Sequence, residues 1–307
     1  MGDWPKCVKW HSAMGLVALL LTLASLATTA TPGVHSSLVY DASTTWLACS
    51  TVYNESHALY LGRLVAVSYC SKEHIDKWTC PPCKYIAKLR DAIVINDEAQ
   101  DFQGMVGFTG THIVVAFRGS LDLKNWIADF TLLKTHPWPK TLPTVQVHRG
   151  FYWTYQGIRD KLVLALAALQ KQHPNAPLII TGHSLGAAVT AIAIVDLHVR
   201  YNVTTQQMIT FGQPRTGNTA FVAQLLQIVP HVFRVTHWRD IVPHIPTVWQ
   251  GYEHAPQEIW YTEDAAKYKA CDPLHGEDPA CSMQFPWISS LGDHIFYLNI
   301  TMGHINC

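Results

Sequence analysis

Apolar residues recur along this chain with two periods, and the change from one to the other marks its elements. Leu61, Leu64, Val65 and Tyr69 fall three and four residues apart, so Ala58 to Ser71 predicts a helix with one buried face. Ala92 to Asn96 predicts a first strand. Gln103 to Thr109 and Thr111 to Phe117 predict a strand pair turned at Gly110. From Ser120 to Leu133 the pattern is helical again. Leu123, Trp126, Ile127 and Phe130 form an apolar stripe opposite Asp122, Lys124, Asn125 and Asp129, which periodicity alone reads as ordinary core packing.

Pro137, Pro139 and Pro143 mark a loop, and Val145 to Val147 a short strand. Phe151, Tyr155, Ile158, Leu162, Leu166 and Leu169 then trace a long helix ending before Pro174. The β-branched run Leu178 to Thr181 predicts a strand, followed by a helix from Ala187 to about Tyr201. Gln207 to Phe211, Val232 to Thr236 and Glu258 to Tyr261 predict further strands, with a helix over Phe221 to Gln227 between the first two. Strands alternating with helices after residue 145 predict an α/β fold with a mainly parallel central sheet flanked by helices. No repeat, linker or charge block divides the chain beyond its first sixty residues.

Composition narrows the function. Hydrophobic residues make up 49% of 307, enough for one large core, while Lys+Arg and Asp+Glu balance at 22 each. Such a balance argues against nucleic acid as a partner and favours a neutral or amphiphilic substrate. Lys6 and Lys9, the apolar run Met14 to Ala27 and the small residues after it have the layout of a signal peptide. Residues 1–30 are assigned to it, with cleavage between about 30 and 36. The run is short for a bilayer span and no later stretch is long enough, so no transmembrane span is expected in the mature chain. Residues 37–60 are read as an N-terminal extension or pro-segment, and 61–307 as the main domain.

A secretory route agrees with the remaining cysteines, Cys49, Cys70, Cys80, Cys83, Cys271, Cys281 and Cys307, whose odd count leaves one unpaired. Cys80-Pro81-Pro82-Cys83 neither opens a helix after a strand nor has a second pair to complete a zinc site, so no metal is expected. Asn54, Asn202 and Asn299 begin glycosylation sequons; the apolar surroundings of Asn299 predict a buried, unmodified residue. The expected location is secreted, or an endomembrane or lysosome-like lumen.

The chemistry centres on Thr181-Gly182-His183-Ser184-Leu185-Gly186, a G-x-S-x-G string between predicted strand and helix. A serine at that turn becomes a nucleophile only if a histidine takes its proton and an acid holds the histidine. In the strand–turn–helix arrangement the acid and then the histidine follow the serine. Asp240, after the strand Val232 to Thr236, is the favoured acid. Glu258, Glu263, Asp264, Asp272, Glu277, Asp278 and Asp293 compete, most of them in polar loops as solvated charges. His244, His254, His275, His294 and His304 are the candidate bases, and order favours His294. Oxyanion donors are expected from the Leu185 N–H and from Ser120 at an earlier strand end. None of this requires a cofactor.

Several strings together resemble the fungal-type triacylglycerol lipases of the class 3 lipase family. They are Phe117-Arg118-Gly119-Ser120, Asn125-Trp126-Ile127-Ala128-Asp129, Val147-His148-Arg149-Gly150-Phe151, the elbow itself, Gly212-Gln213-Pro214-Arg215, Arg239-Asp240-Ile241-Val242-Pro243, Glu258-Ile259-Trp260-Tyr261 and Asp293-His294. The resemblance runs from about Leu61 to Cys307. It implies an α/β-hydrolase fold, a triad of Ser184, Asp240 and His294, and an oxyanion hole of Ser120 and Leu185. It also implies that the Leu123, Trp126, Ile127 and Phe130 helix is a mobile lid rather than core, opening at a lipid–water interface onto an acylglycerol substrate. The disulfides it implies are Cys70–Cys307, Cys80–Cys83 and Cys271–Cys281, with Cys49 unpaired. A monomer is expected. Rival readings on the same fold are a phospholipase A1 or a feruloyl-type esterase, and more remotely a catalytically silent lipid-binding protein.

Overall fold

A computed structural model describes residues 52–128, 131–285, 290–304 and 307, together with the backbone of three short strands nearer the N-terminus. The side chains of Ile127 and Ala128 are not among those described, and Phe130 lies outside the described residues. The chain forms two compact units, Met1–Asn54 and Glu55–Cys307. In the first, strands Val8–Lys9, Ser36–Tyr40 and Trp46–Ser50 make an antiparallel sheet with the last in the middle. Most of the expected signal segment and its cleavage window, and the side chain of Cys49, fall outside the described residues.

The second unit is built on one eight-stranded sheet. Its strands are β1 Arg90–Asp97, β2 Phe102–Phe108, β3 Ile113–Phe117, β4 Leu178–His183, β5 Gln207–Phe211, β6 His231–His237, β7 Glu258–Tyr261 and β8 Tyr268–Ala270. Spatial order follows chain order from β1 to β8. The pairs β3–β4, β4–β5, β5–β6 and β6–β7 are parallel, and the two ends are antiparallel. Every residue of β3 (Ile-Val-Val-Ala-Phe) and β4 (Leu-Ile-Ile-Thr-Gly-His) is buried, as parallel strands covered on both faces require.

Alternation divides these strands between two layers. Val115, Ile180 and Met208 pack with the long helix α4, Arg149–Gln172, and with α5, Leu185–Tyr201, in one core cluster. On the opposite face lies α1, Glu55–Val67. There a Cβ added at Gly62 would lie 3.2 Å from the Ile300 side chain and 3.4 Å from the Phe211 ring, so the helix backbone packs close to the sheet. Two shorter helices, α2 Lys72–Lys77 and α3 Leu123–Ala128, come between α1 and α4 in the chain. Helix α6, Thr219–Ile228, connects β5 to β6, and α7, Leu291–His294, lies near the C-terminus. Cys70–Cys307, Cys80–Cys83 and Cys271–Cys281 are disulfide-bonded.

The structure departs from the sequence reading at several points. The strand expected over Val145 to Val147 is a two-residue ladder, Val147–His148, paired with Lys134–Thr135. α2 and the edge strand β8 were not expected: six residues and three residues are too short for periodicity to register. Asn299 is exposed, not buried. It sits with Leu298 in the positive-φ turn of the Phe296–Tyr297/Ile300–Thr301 hairpin, and Leu298 takes the buried side. Asn54 and Asn202 are exposed as well.

Candidate active site

Three strand ends converge on one point. Ser184 follows β4 directly and is the N-cap of α5, with φ 56° and ψ −125°, a conformation that costs an L-residue about 1–3 kcal/mol and lifts the side chain clear of the sheet. The strand and helix can meet so sharply because Gly186 lies against the end of β3. A Cβ there would come within 2.3 Å of the Arg118 carbonyl oxygen and 2.6 Å of that of Phe117. Leu185, as the first residue of α5, has an N–H with no intrahelical acceptor.

Asp240 sits in the turn after β6, held by its N–H to the His237 carbonyl at 2.9 Å. A single parallel bridge joins it to Ser290, whose hydroxyl caps α7 by accepting from the Asp293 N–H. That bridge carries His294, the last residue of α7, to the acid. His294 Nδ1 lies 2.9 and 2.8 Å from Asp240 Oδ1 and Oδ2, both side chains fully buried. The Val242 N–H donates to Oδ1 at 2.8 Å and the Tyr297 hydroxyl donates to Oδ2. Burial alone would raise the Asp240 carboxyl, but His294, Tyr297 and the Val242 amide outweigh it and hold the group below the ordinary range. Gly212, at the end of β5, has φ 56°. A Cβ at that position would lie 2.9 Å from Asp240 Oδ2, His294 Cε1 and the Tyr297 hydroxyl alike, so only glycine leaves this pair its space.

Ser184 Oγ and His294 Nε2 are buried and neither makes a hydrogen bond. Both line a cavity of about 150 Å³ with Ser120, Leu121, Leu123, Tyr69, His183, Ile295 and the segment Met302 to His304. An uncharged serine hydroxyl and a histidine nitrogen in one pocket, with the other histidine nitrogen on a carboxylate, form the arrangement that activates an oxygen nucleophile. Ser120 is half-buried at the mouth of β3, on the same side.

The stripe expected to form a lid is divided. Asp122 caps α3, accepting from the Asn125 N–H at 3.1 Å. Trp126 is half-buried and stacks on Phe151 of α4, ring centroids 6.1 Å apart. Leu123 faces the cavity.

Several residues around the site escaped sequence reasoning. Tyr297, three positions after His294, carries the second support of Asp240. Tyr69, read only as a helix-face residue, reaches the cavity and bonds His183. Glu258 and Glu277, read among the solvated acids, are not: Glu258 is buried and accepts from the Thr236 hydroxyl at 2.6 Å, while Glu277 holds the buried Arg215 with both oxygens. Glu258 lies beside Cys271 and Cys281, but their sulfurs are joined and offer no thiolate to a metal.

A family pattern described as Lipase (class 3) matches residues 114–249. A lipase from Rhizomucor miehei is 31% identical over 253 residues, which cover 80% of this chain and 68% of that relative. A secreted mono- and diacylglycerol lipase A from Penicillium cyclopium is 31% identical over 62% of this chain and 64% of its own length. The chain thus spans about two thirds of these relatives. The solved structure of Rhizomucor miehei triacylglyceride lipase is similar at a TM-score of 0.74 and 30% identity, covering 81% of this chain and 96% of the other. A structure described as a triacylglycerol lipase with a serine protease triad at its catalytic centre is similar at 0.72 and 31% identity over the same shares.

Proposed function

The chain is a serine ester hydrolase of the class 3 lipase family, and from that premise we propose that it is a secreted lipase cleaving the carboxylic esters of acylglycerols. The observation that carries the reading is the pair of unbonded atoms, Ser184 Oγ and His294 Nε2, on one cavity with Asp240 behind the histidine. Ser184 attacks the ester carbonyl while His294 Nε2 takes its proton. The oxyanion is received by the Leu185 N–H and by Ser120, each donor worth about 3 kcal/mol in such a hole. His294 returns the proton to the departing glyceride oxygen, leaving an acyl-serine. Water, deprotonated by the same nitrogen, then releases the fatty acid.

Access is the second part of the proposal. A cavity of about 150 Å³ is smaller than the roughly 300–1,000 Å³ of pockets that hold drug-sized ligands, and Leu121 and Leu123 of the α3 segment form part of its wall. α3 therefore acts as a lid in its closed position, opening at a lipid–water interface. Secretion is supported by a relative named as secreted, by three disulfides and by three exposed sequons. No helix among the described residues is long and apolar enough to cross a membrane. Residues 1–30 are proposed as the signal peptide and the mature protein as a monomer; the extension or pro-segment expected over 37–60 is proposed to end before α1, because Glu55 opens that helix and belongs to the second unit.

The test is a panel of emulsified long-chain triacylglycerol, phosphatidylcholine and a soluble aromatic ester. The triacylglycerol should be the best substrate, and Ser184→Ala should abolish its hydrolysis. Faster turnover of either other substrate would move the assignment to a phospholipase or a feruloyl-type esterase.

A further inference from the structure

His183, the residue before the nucleophile, is wholly buried and cannot reach substrate through its own nitrogens, because both are engaged. Nε2 lies 2.7 Å from the backbone carbonyl of His294, an atom that can only accept, so Nε2 carries the proton. Nδ1 is then the acceptor, and the Tyr69 hydroxyl donates to it at 2.6 Å. The same hydroxyl accepts the Gly119 N–H at 2.8 Å. One directed chain therefore runs from the Gly119 N–H to Tyr69, from Tyr69 to His183, and from His183 to the backbone of His294. Burial first, and then the nearby His294, keep the imidazole uncharged, with its pKa down to about 3, so the direction of the chain holds at neutral pH.

We propose that Tyr69 and His183 are positioning residues for the ester hydrolysis, a hydrogen-bonded tie that sets the oxyanion segment Gly119–Ser120 and the backbone of His294 at fixed places about Ser184. The inference rests on the serine-hydrolase reading above and adds to it two residues outside the triad. The geometry has three anchors. Gly119 immediately precedes Ser120, the strand-end oxyanion donor. His183 is covalently joined to Ser184. His294 is the base. These come from β3, β4 and α7: β3 pairs with β4, whereas α7 is tied to the end of β6, through the Asp240–Ser290 bridge, the His237 ring 3.1 Å from the Asp293 carbonyl and the Arg239 N–H on the Asp293 carboxylate. The Tyr69–His183 tie supplies the missing link between the oxyanion side and the base side. Misplacement of reacting groups by about 1 Å can cost about 100-fold in rate, so loosening this link should act on the transition state more than on substrate binding.

Tyr69→Phe keeps the ring and removes both hydrogen bonds. It should lower kcat on a soluble ester about tenfold, per active site titrated with a fluorophosphonate, with KM within about twofold of wild type. Affinity for an alkylboronic acid, which copies the tetrahedral adduct, should fall by the same factor as kcat/KM. A merely structural tyrosine would lower the thermal midpoint and the titratable fraction but leave kcat per titrated site unchanged. His183→Asn, a shorter side chain that breaks the chain at its middle, should show the same pattern, and the double variant should be no slower than the slower single one. Unchanged kcat per site in Tyr69→Phe, or simple multiplication of the two losses in the double variant, would overturn the proposal. Wild type and Ser184→Ala run alongside separate the two readings: absence of hydrolysis by wild type sinks the lipase assignment, whereas active wild type with unaltered Tyr69→Phe sinks only the tie.

Discussion

His294 Nδ1 lies 2.9 and 2.8 Å from the two carboxylate oxygens of Asp240, with both side chains excluded from water. The carboxylate is kept ionised by that contact together with the Tyr297 hydroxyl and the Val242 amide. A histidine so held leaves Nε2 without a hydrogen bond at the cavity that Ser184 lines.

Asp240→Asn keeps the shape and can still bond Nδ1, but its amide can donate, which favours the wrong tautomer and leaves no anion to stabilise the imidazolium. We expect kcat to fall by about 10³–10⁴-fold with KM nearly unchanged, measured on a soluble ester with folding checked by circular dichroism. A loss of less than tenfold would remove Asp240 from the triad.

Tyr297→Phe takes one donor from Asp240 Oδ2 in a fully buried setting. Leaving a buried acceptor short of a partner costs about 1–3 kcal/mol, so the urea midpoint should drop accordingly. The Asp240 carboxyl should rise towards its ordinary value, so the part of the acid-induced loss of stability that this group causes below about pH 4 should shrink. An unchanged midpoint would mean that a water replaces the hydroxyl without cost.

Two further histidines make the fold acid-sensitive. His183 is held neutral down to about pH 3 by burial first and then by His294, and His254 is held well below its usual range by burial first and then by Arg234 and Arg215. The unfolded chain binds those protons near pH 6.5, so between pH 6.5 and 3 it holds more protons than the native state. Stability therefore falls as pH drops, by at most about 1.4 kcal/mol per unit for each histidine, and Asp240 adds to the loss below about pH 4. Urea midpoints at pH 7.5, 6, 5 and 4 should decline in that order. A midpoint that rises from pH 6.5 to 5 would contradict this assignment and favour adaptation to an acidic lumen.

Trp126 stacks on Phe151, half-buried on the α3 side of the cavity. If this contact holds the lid shut, Trp126→Ser should raise hydrolysis of a soluble short-chain ester about two- to tenfold and lower the rate on emulsified triacylglycerol, because the apolar face that would meet lipid is lost. Equal changes on both substrates would assign Trp126 to packing alone.

How much of this was legible in the sequence depends on how far each signal reaches along the chain. The strands β3 to β7 and the turn at Ser184 show themselves locally, through β-branched runs and a glycine-spaced serine. Asp240 and His294 followed from chain order combined with the surrounding strings. Tyr69 and His183 are separated by 114 residues, and Tyr297 and Asp240 by 57, so no local period records their contacts. Asp196 is the plainest case. On α5 it reads as one polar residue in an apolar helix, yet it is wholly buried and gathers the Trp138 indole, the Tyr155 hydroxyl and Arg200. Asn299 fails in the other direction: its neighbours are apolar, but a two-residue turn points it outward.

The most direct measurement is covalent. Treated with a fluorophosphonate and digested, the protein should carry one phosphonate on the peptide containing Ser184, and hydrolysis of emulsified triacylglycerol should disappear in proportion to labelling. Label on another residue, or full activity after Ser184 is modified, would contradict the account.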